Sequence, residues 1–237
     1  MGKTTNIPWC DATWNPWIGC HKVSSGCKNC YMFREVKRFG QDPENIRKSV
    51  TMFNAPLKWS NDKKRIFVCS WSDFFIEEAD QWRDEAWNII KMTPDNRYII
   101  LTKRIENASS RLPKDWDNGY PNVILMVSTE NEEMFYRRVP KLLDIPARAR
   151  GISAEPLLGN IDMGMFAGYL DWVIAGGESG ANDLARKDNL DWYRELRQQC
   201  IINNVPFFLK QSWSNDKLLK MPELDGVKWM EFPLIFR

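Results

Sequence analysis

Short β-type runs alternate with amphipathic stretches along most of the chain, the pattern of parallel strands joined by helices. Six runs read as strands: Ile66–Ser70, Tyr98–Thr102, Val123–Thr129, Gly151–Glu155, Trp172–Ala175 and Val205–Lys210. Between the first two, Ala79–Thr93 repeats Trp82, Ala86, Ile89, Ile90 and Met92 at roughly helical spacing beside Arg83, Asp84, Glu85 and Lys91, which predicts one amphipathic helix. Asp188 is placed to cap another helix ending near Ile202, with Leu190, Tyr193, Leu196 and Cys200 as its apolar stripe and Asn203-Asn204 as its stop. Pro140 interrupts Glu132–Leu143, so two short helices are expected there. The tail over about residues 213–237 reads as irregular and as a candidate cap or edge element, and the chain contains no repeat and no low-complexity linker.

Polar residues gather where the strands end. Ser70, Ser72 and Asp73 follow the first; Lys103 and Arg104 the second; Ser128, Thr129, Glu130 and Asn131 the third; Ser153 and Glu155 the fourth; Gly176, Gly177, Glu178 and Ser179 the fifth; Lys210 and Gln211 the sixth. In a β/α barrel these ends open onto one face, where active sites are built. Ordinary loop polarity and helix capping account for Ser72, Asn131 and Asp73 equally well. They account less well for Glu155 before Pro156, for Gly176-Gly177-Glu178 and for Lys210-Gln211.

A chain of 237 residues with 43% hydrophobic positions can bury one substantial core, so residues 1–237 are read as a single α/β domain. No window approaches the ~20 uninterrupted apolar residues of a membrane helix, and Met1–Asn6 lacks the apolar stretch of a signal peptide, so a cytoplasmic protein without a membrane partner is expected. Lys plus Arg (33) nearly balances Asp plus Glu (31), which neither demands nor excludes a nucleic-acid partner. The twelve tryptophans read mainly as core and pocket walls.

Cysteine distribution changes this picture more than composition does. In a cytosolic chain six cysteines are more often reduced, metal-bound or catalytic than paired. Cys69 and Cys200 sit alone in apolar contexts, as small core residues do. Cys20, Cys27 and Cys30 form a C-x6-C-x2-C arrangement with Gly19 and Gly26 before its first two cysteines, where the backbone can bend to bring thiolates together. Three thiolates suit a [4Fe–4S] cluster with one open iron, able to chelate S-adenosylmethionine (SAM). A closed zinc site, with Cys10 or His21 as fourth ligand, is the alternative, and simple buried cysteines the third.

The sequence resembles the phage-associated three-cysteine-motif proteins, distant relatives of radical SAM enzymes. The resemblance is carried by Asp11-Ala12-Thr13-Trp14-Asn15-Pro16 leading into Gly19-Cys20, by Gly26-Cys27-Lys28-Asn29-Cys30-Tyr31 and by Leu101-Thr102-Lys103-Arg104. It continues through Ser153-Ala154-Glu155-Pro156-Leu157-Leu158-Gly159, Trp172–Gly180 and Val205–Gln211, so it spans most of the chain. The first gap is six residues where the wider superfamily usually has three. After Gly180 the chain reads Ala181-Asn182-Asp183-Leu184-Ala185-Arg186-Lys187 in place of an Ala-Arg-Pro-Met type of stretch, and Cys10 stands where relatives more often carry Thr.

The resemblance implies a partial (β/α) TIM-type barrel of six or seven parallel strands, with a first strand over about Ala12–Ile18 and a cluster loop over residues 19–31. It implies a [4Fe–4S] cluster on Cys20, Cys27 and Cys30, SAM across the barrel mouth and an external electron donor. SAM is then expected near Ser70, Ser72 or Asp73 at its amino group and near Thr129, Glu130 or Ser153 at its ribose or carboxylate, with Glu155, Gly176, Gly177 and Glu178 also lining the pocket. A nucleic-acid or nucleobase-containing substrate would meet Lys103, Arg104, Lys210 and Gln211, with Trp14, Trp17, Tyr31 and Trp71 available for base stacking. The rival readings are a zinc-stabilised nucleic-acid-binding module using Lys22, Lys28, Arg34, Lys37 and Arg38, and an iron–sulfur protein without SAM chemistry.

Overall fold

A computed structural model describes residues 4–59, 62–180 and 184–236. The chain enters through β1 (Ala12–Trp14), all three residues of which are buried. Pro16 has no N–H to continue a ladder, and Asn15 accepts the Trp71 N–H at 2.7 Å. The expected strand Ala12–Ile18 is therefore two pieces, the second being β2 (Trp17–Ile18). After β2 come the cysteine loop, α1 (Tyr31–Arg38) and β3 (Arg47–Lys48), which pairs antiparallel with β2 outside the main sheet.

The main sheet continues through β4 (Arg65–Val68), then α2 (Asp80–Met92), β5 (Arg97–Thr102), β6 (Val123–Ser128), α3 (Glu132–Leu143), β7 (Arg150–Ala154), β8 (Trp172–Gly176), α4 (Leu190–Ile202) and β9 (Phe207–Ser214). Each of the six predicted runs overlaps one of these strands, with ends that differ by up to four residues. The spatial order is β1-β4-β5-β6-β7-β8-β9-β10, with β10 (Lys217–Lys220) at the far edge. The first seven strands run parallel, the upper of the two expected counts, and β10 lies antiparallel to β9, so the curled half-barrel has eight strands in all.

Four further expectations are corrected. The tail does supply an edge element, β10, but it is not irregular: Asn215 and Asp216 (φ 46° and 60°) form a two-residue left-handed turn between β9 and β10, and Asp225-Gly226 (φ 55° and 78°) joins β11 (Glu223–Leu224) to β12 (Val227–Lys228). α3 is one helix that runs through Pro140. The carbonyl of Tyr136, which loses its helical partner there, belongs to a residue open to water. α4 is capped by Asn189, which accepts the Asp191 N–H at 2.9 Å. Asp188 instead faces inward, accepting from the Tyr193 hydroxyl and the Trp213 N–H, and Leu190 is exposed. In α2 the stripe is shifted as well, for Met92 is exposed while Arg83 is buried and donates to the Phe74 carbonyl at 2.9 Å.

Because side chains alternate across a strand, the sheet has two apolar faces. Ile66, Val68, Ile100, Leu125, Val127, Val173 and Leu209 pack outward against Trp87, Phe135, Leu142 and Leu196 of the helices. Phe67, Ile99, Ile124, Met126, Trp172, Ile174 and Phe208 point into the concave side. There Trp9 meets Phe67 with ring centroids 4.8 Å apart, and Phe236 meets Trp172 at 5.4 Å. This aromatic plug fills the lower half of the half-barrel and leaves the carboxyl ends of the strands open.

Gly151 marks how tightly the plug is packed. A Cβ there would lie 2.7 Å from the Trp172 carbonyl oxygen and 2.9 Å from the Met126 methyl carbon. Gly151→Ala is expected to destabilise the fold by about 1–3 kcal/mol through overpacking, read as a lower urea midpoint with an unchanged slope. A midpoint equal to wild type would show that the concave face has slack. Among the described residues, no helix is long and apolar enough to cross a membrane.

A candidate active site built on the cysteine loop

A cavity of about 700 Å³ opens at the carboxyl ends of the strands. Cys20, Cys27 and Cys30 all line it, together with Ser70, Ser72, Asp73, Lys103, Arg104, Ser153, Glu155, Glu178, Lys210 and Gln211. Thr129, Glu130, Gly176 and Gly177 are not among its lining residues.

The cysteine loop is shaped by its glycines and held from outside. Gly19 has φ +105°, and a Cβ there would sit 2.6 Å from the Asn45 carbonyl oxygen, so only glycine fits the turn. Gly26 lies against Glu130: a Cβ would come within 3.0 Å of the carboxyl group, and the Gly26 N–H donates to Oε1 at 3.2 Å. Glu130 is fully buried and paired with Arg138 at 2.7 Å, itself 3% exposed at the side chain. Burial pushes the Glu130 carboxyl up, but Arg138, Lys103 and a hydrogen bond from Ser24 more than reverse this and hold it below the usual range.

Three other strand ends grip the same loop. Ser72 Oγ donates to the Gly19 carbonyl at 2.5 Å. Arg104 Nη2 donates to the His21 carbonyl at 3.1 Å. Asn29 Nδ2 donates to Glu178 Oε2 at 2.9 Å, and Glu178 is in turn paired with Arg186. Ser72, Arg104 and Glu178 thus support the cysteines as much as they face the cavity, and Glu130 supports them from outside it. Burial raises the Glu178 carboxyl, and the Arg186 and Asn29 hydrogen bonds outweigh it, leaving the group below its ordinary range.

All six cysteines are unpaired. Burial first, and then Asp73, push the Cys20 thiol up to about 12, with Cys27 and Cys30 close enough to add to the shift. Cys10 and Cys200 lie buried away from the cavity, and burial lifts each to about 12. Cys69 is buried like a core residue but also borders the cavity. No group of three His, Cys, Asp or Glu side chains stands in ready metal-binding geometry among the described residues. The donor chemistry nonetheless fits: three cysteines line one cavity from a loop anchored on four strand ends, and soft thiolates select iron–sulfur clusters or zinc.

The remaining cavity residues differ in how committed they are. Asp73 accepts from Thr102 Oγ1 at 2.7 Å and from the Lys103 N–H at 2.9 Å, so it ties the end of β4 to the end of β5. Lys103 Nζ donates to Ser128 Oγ at 3.1 Å, Lys210 is paired with Glu155, and Gln211 Nε2 donates to the Gly177 carbonyl at 2.7 Å. Ser153 Oγ and Arg104 Nη1 are buried without a protein partner, as is Thr129 Oγ1 outside the cavity. A buried polar atom left without a partner in a cavity wall is a place for a ligand group or water.

None of the twelve tryptophans is exposed. Trp14 and Trp17 are fully buried, with Nε1 of Trp17 donating to the Asp73 carbonyl at 3.0 Å, so neither ring can stack on a base. Tyr31 donates to the Ser70 carbonyl at 2.6 Å, and Trp71 lines the cavity half-buried. The sequence reading missed Asn29, Arg138 and Arg186, the partners of Glu178 and Glu130. Ala181–Asp183 lie outside the described residues.

The fold and site together define an α/β half-barrel with a cysteine loop clamped over its strand ends. Over residues 4–233 the chain matches the family described as "Protein of unknown function (DUF5131)", and it belongs to that family. No curated protein and no solved structure matches it.

Proposed function

We propose that this chain is a radical SAM-type iron–sulfur enzyme whose half-barrel is a partial TIM-type barrel, acting on a nucleic-acid or nucleobase-containing substrate in the cytoplasm with an external electron donor. One observation carries the reading: three cysteine side chains on a single anchored loop line the cavity at the strand ends. Cys20, Cys27 and Cys30 would hold a [4Fe–4S] cluster. When bound, such a cluster supplies the electron for reductive cleavage of SAM to 5′-deoxyadenosine.

The protein's own part is binding and orientation. A volume of about 700 Å³ lies in the range of pockets that enclose nucleoside-sized ligands. Ser153 Oγ offers an unused hydroxyl, and Asp73 orders the Lys103 backbone at the mouth. Trp71, Phe33 and Leu101 supply apolar wall that keeps water from the ligand.

Protein purified without oxygen, given SAM and a strong reductant, is expected to release 5′-deoxyadenosine. Asp73→Ala is expected to lower that yield roughly 10- to 100-fold at unchanged iron content, the effect of losing hydrogen bonds to a charged group. Native zinc in place of iron, or iron and sulfide without any 5′-deoxyadenosine, would remove the reading in favour of a structural zinc module or an electron carrier.

A further inference from the structure

Most donors of the cations expected to meet the substrate are committed inside the cavity, although Nη1 of Arg104 has no protein partner. Lys210 is paired with Glu155 and Lys103 with Ser128, while Arg104 is 6% exposed, bonded to the His21 carbonyl and 3.9 Å from Glu77. A phosphate entering there would have to break these partnerships at the cost of uncovering buried charge. Outside the cavity the situation is reversed. Lys22, Lys28, Arg34, Lys37 and Arg38 are exposed, and among the described residues none of them forms an ion pair with a carboxylate; Lys22 Nζ alone is engaged, donating to the Lys28 carbonyl at 3.0 Å over the Phe33 ring. Between Cys20 and Phe39 they are accompanied by one acidic residue, Glu35, so this segment exceeds the net charge of +2 carried by the whole chain.

Helix polarity explains part of this. Lys37 and Arg38 occupy the last turn of α1, where cations are favoured, but Lys22 and Lys28 precede the helix and Arg34 sits in its first turn. The strip is also continuous with the mouth, because His21, Val23, Asn29 and Phe33 of the same segment line the cavity. At its outer end the Phe39 ring is 66% exposed beside Arg38.

The geometry points to this strip as the phosphate track of a single-stranded nucleic acid, from which one base turns into the cavity while Phe39 can stack on a neighbour. This rests on the nucleic-acid reading of the substrate and moves its phosphate contacts from Lys103 and Lys210 to the cysteine segment. A single strand fits better than a duplex, since its bases are already unstacked.

The test is binding of a fluorescent single-stranded oligonucleotide to the full chain across a salt series. Wild type is expected to bind, with affinity falling as salt rises. The Arg34→Glu/Lys37→Glu/Arg38→Glu variant is expected to lose at least 10-fold in affinity at low salt and to flatten the log–log salt slope by about two, three contacts at roughly 0.7 each. Lys22→Glu/Lys28→Glu should act in the same direction. The control Lys58→Glu/Lys114→Glu/Lys141→Glu changes charge equally at exposed positions outside the strip and should cost less than 3-fold. Melting curves confirm that each variant is folded. If wild type binds but the strip variants bind equally well, or no worse than the control, the track is overturned and the nucleic-acid reading survives. If wild type binds no oligonucleotide at low salt, both fall. Loss of productive encounter with an acidic redox protein, without loss of oligonucleotide binding, would assign the strip to the electron donor instead.

Discussion

Cys20→Ser, Cys27→Ser and Cys30→Ser are each expected to abolish iron and sulfide retention after anaerobic reconstitution, whereas Cys10→Ser and Cys200→Ser keep wild-type content. The three thiols face one cavity, and a site with only three protein ligands has none to spare. Cys10 instead packs with Trp9 and Phe67 in the aromatic plug, its Sγ 4.0 Å from the Ile7 carbonyl, and Cys200 packs among the helix-side residues. Colour, iron and acid-labile sulfide per chain are the measurements. Equal losses in Cys10→Ser and Cys27→Ser would mean a closed four-ligand site and would sink the open-cluster assignment.

Glu130→Gln is expected to give the largest loss of stability. It leaves Arg138 buried without its charge partner, an arrangement that costs roughly 3–5 kcal/mol. A drop of that size would lower the melting temperature by about 6–20 °C in a chain of this length. The second substitution Arg138→Met should recover part of it, because two neutral groups need no mutual compensation. The pH dependence follows from the direction of the shift. A carboxyl held below its unfolded value adds stability above the unfolded pKa, near 4.3, and loses it as pH falls through the folded value. Wild type should therefore lose stability below about pH 4.5 more steeply than Glu130→Gln, as read from urea midpoints between pH 3 and 7. Parallel pH profiles would remove Glu130 from the list of groups that hold the fold.

Why some of this was legible in the sequence and some was not has a physical basis. Strands buried on both faces, such as Val123–Ser128, are written as unbroken apolar runs, and all six of that strand's residues are buried. The polar strand ends marked the cavity for the same reason: water-facing carboxyl ends cannot stay apolar. What stayed hidden was which polar groups are spent on each other. Glu130 and Glu178 looked like ligand contacts, yet their partners lie eight residues away on α3 and in the loop before α4. Local pattern carries no sign of which charge a buried charge will find. The misread tail was readable after all, since Asn215-Asp216 and Asp225-Gly226 are residue pairs suited to left-handed turns and announced its strands.

The anchoring of the cysteine loop also has a consequence for the order of folding. Its four clamps join residues separated along the chain by 53, 83, 104 and 149 positions, the last reaching from Asn29 to Glu178. Loop closure over such spans costs entropy before any contact repays it. The cysteine loop is therefore among the last parts to acquire its final shape, and a chain in which β8 has not yet joined the sheet presents three cysteines without the frame that orients them. On the proposed cluster assignment, metal capture would follow completion of the sheet, and resistance of the loop to hydrogen exchange should rise only then.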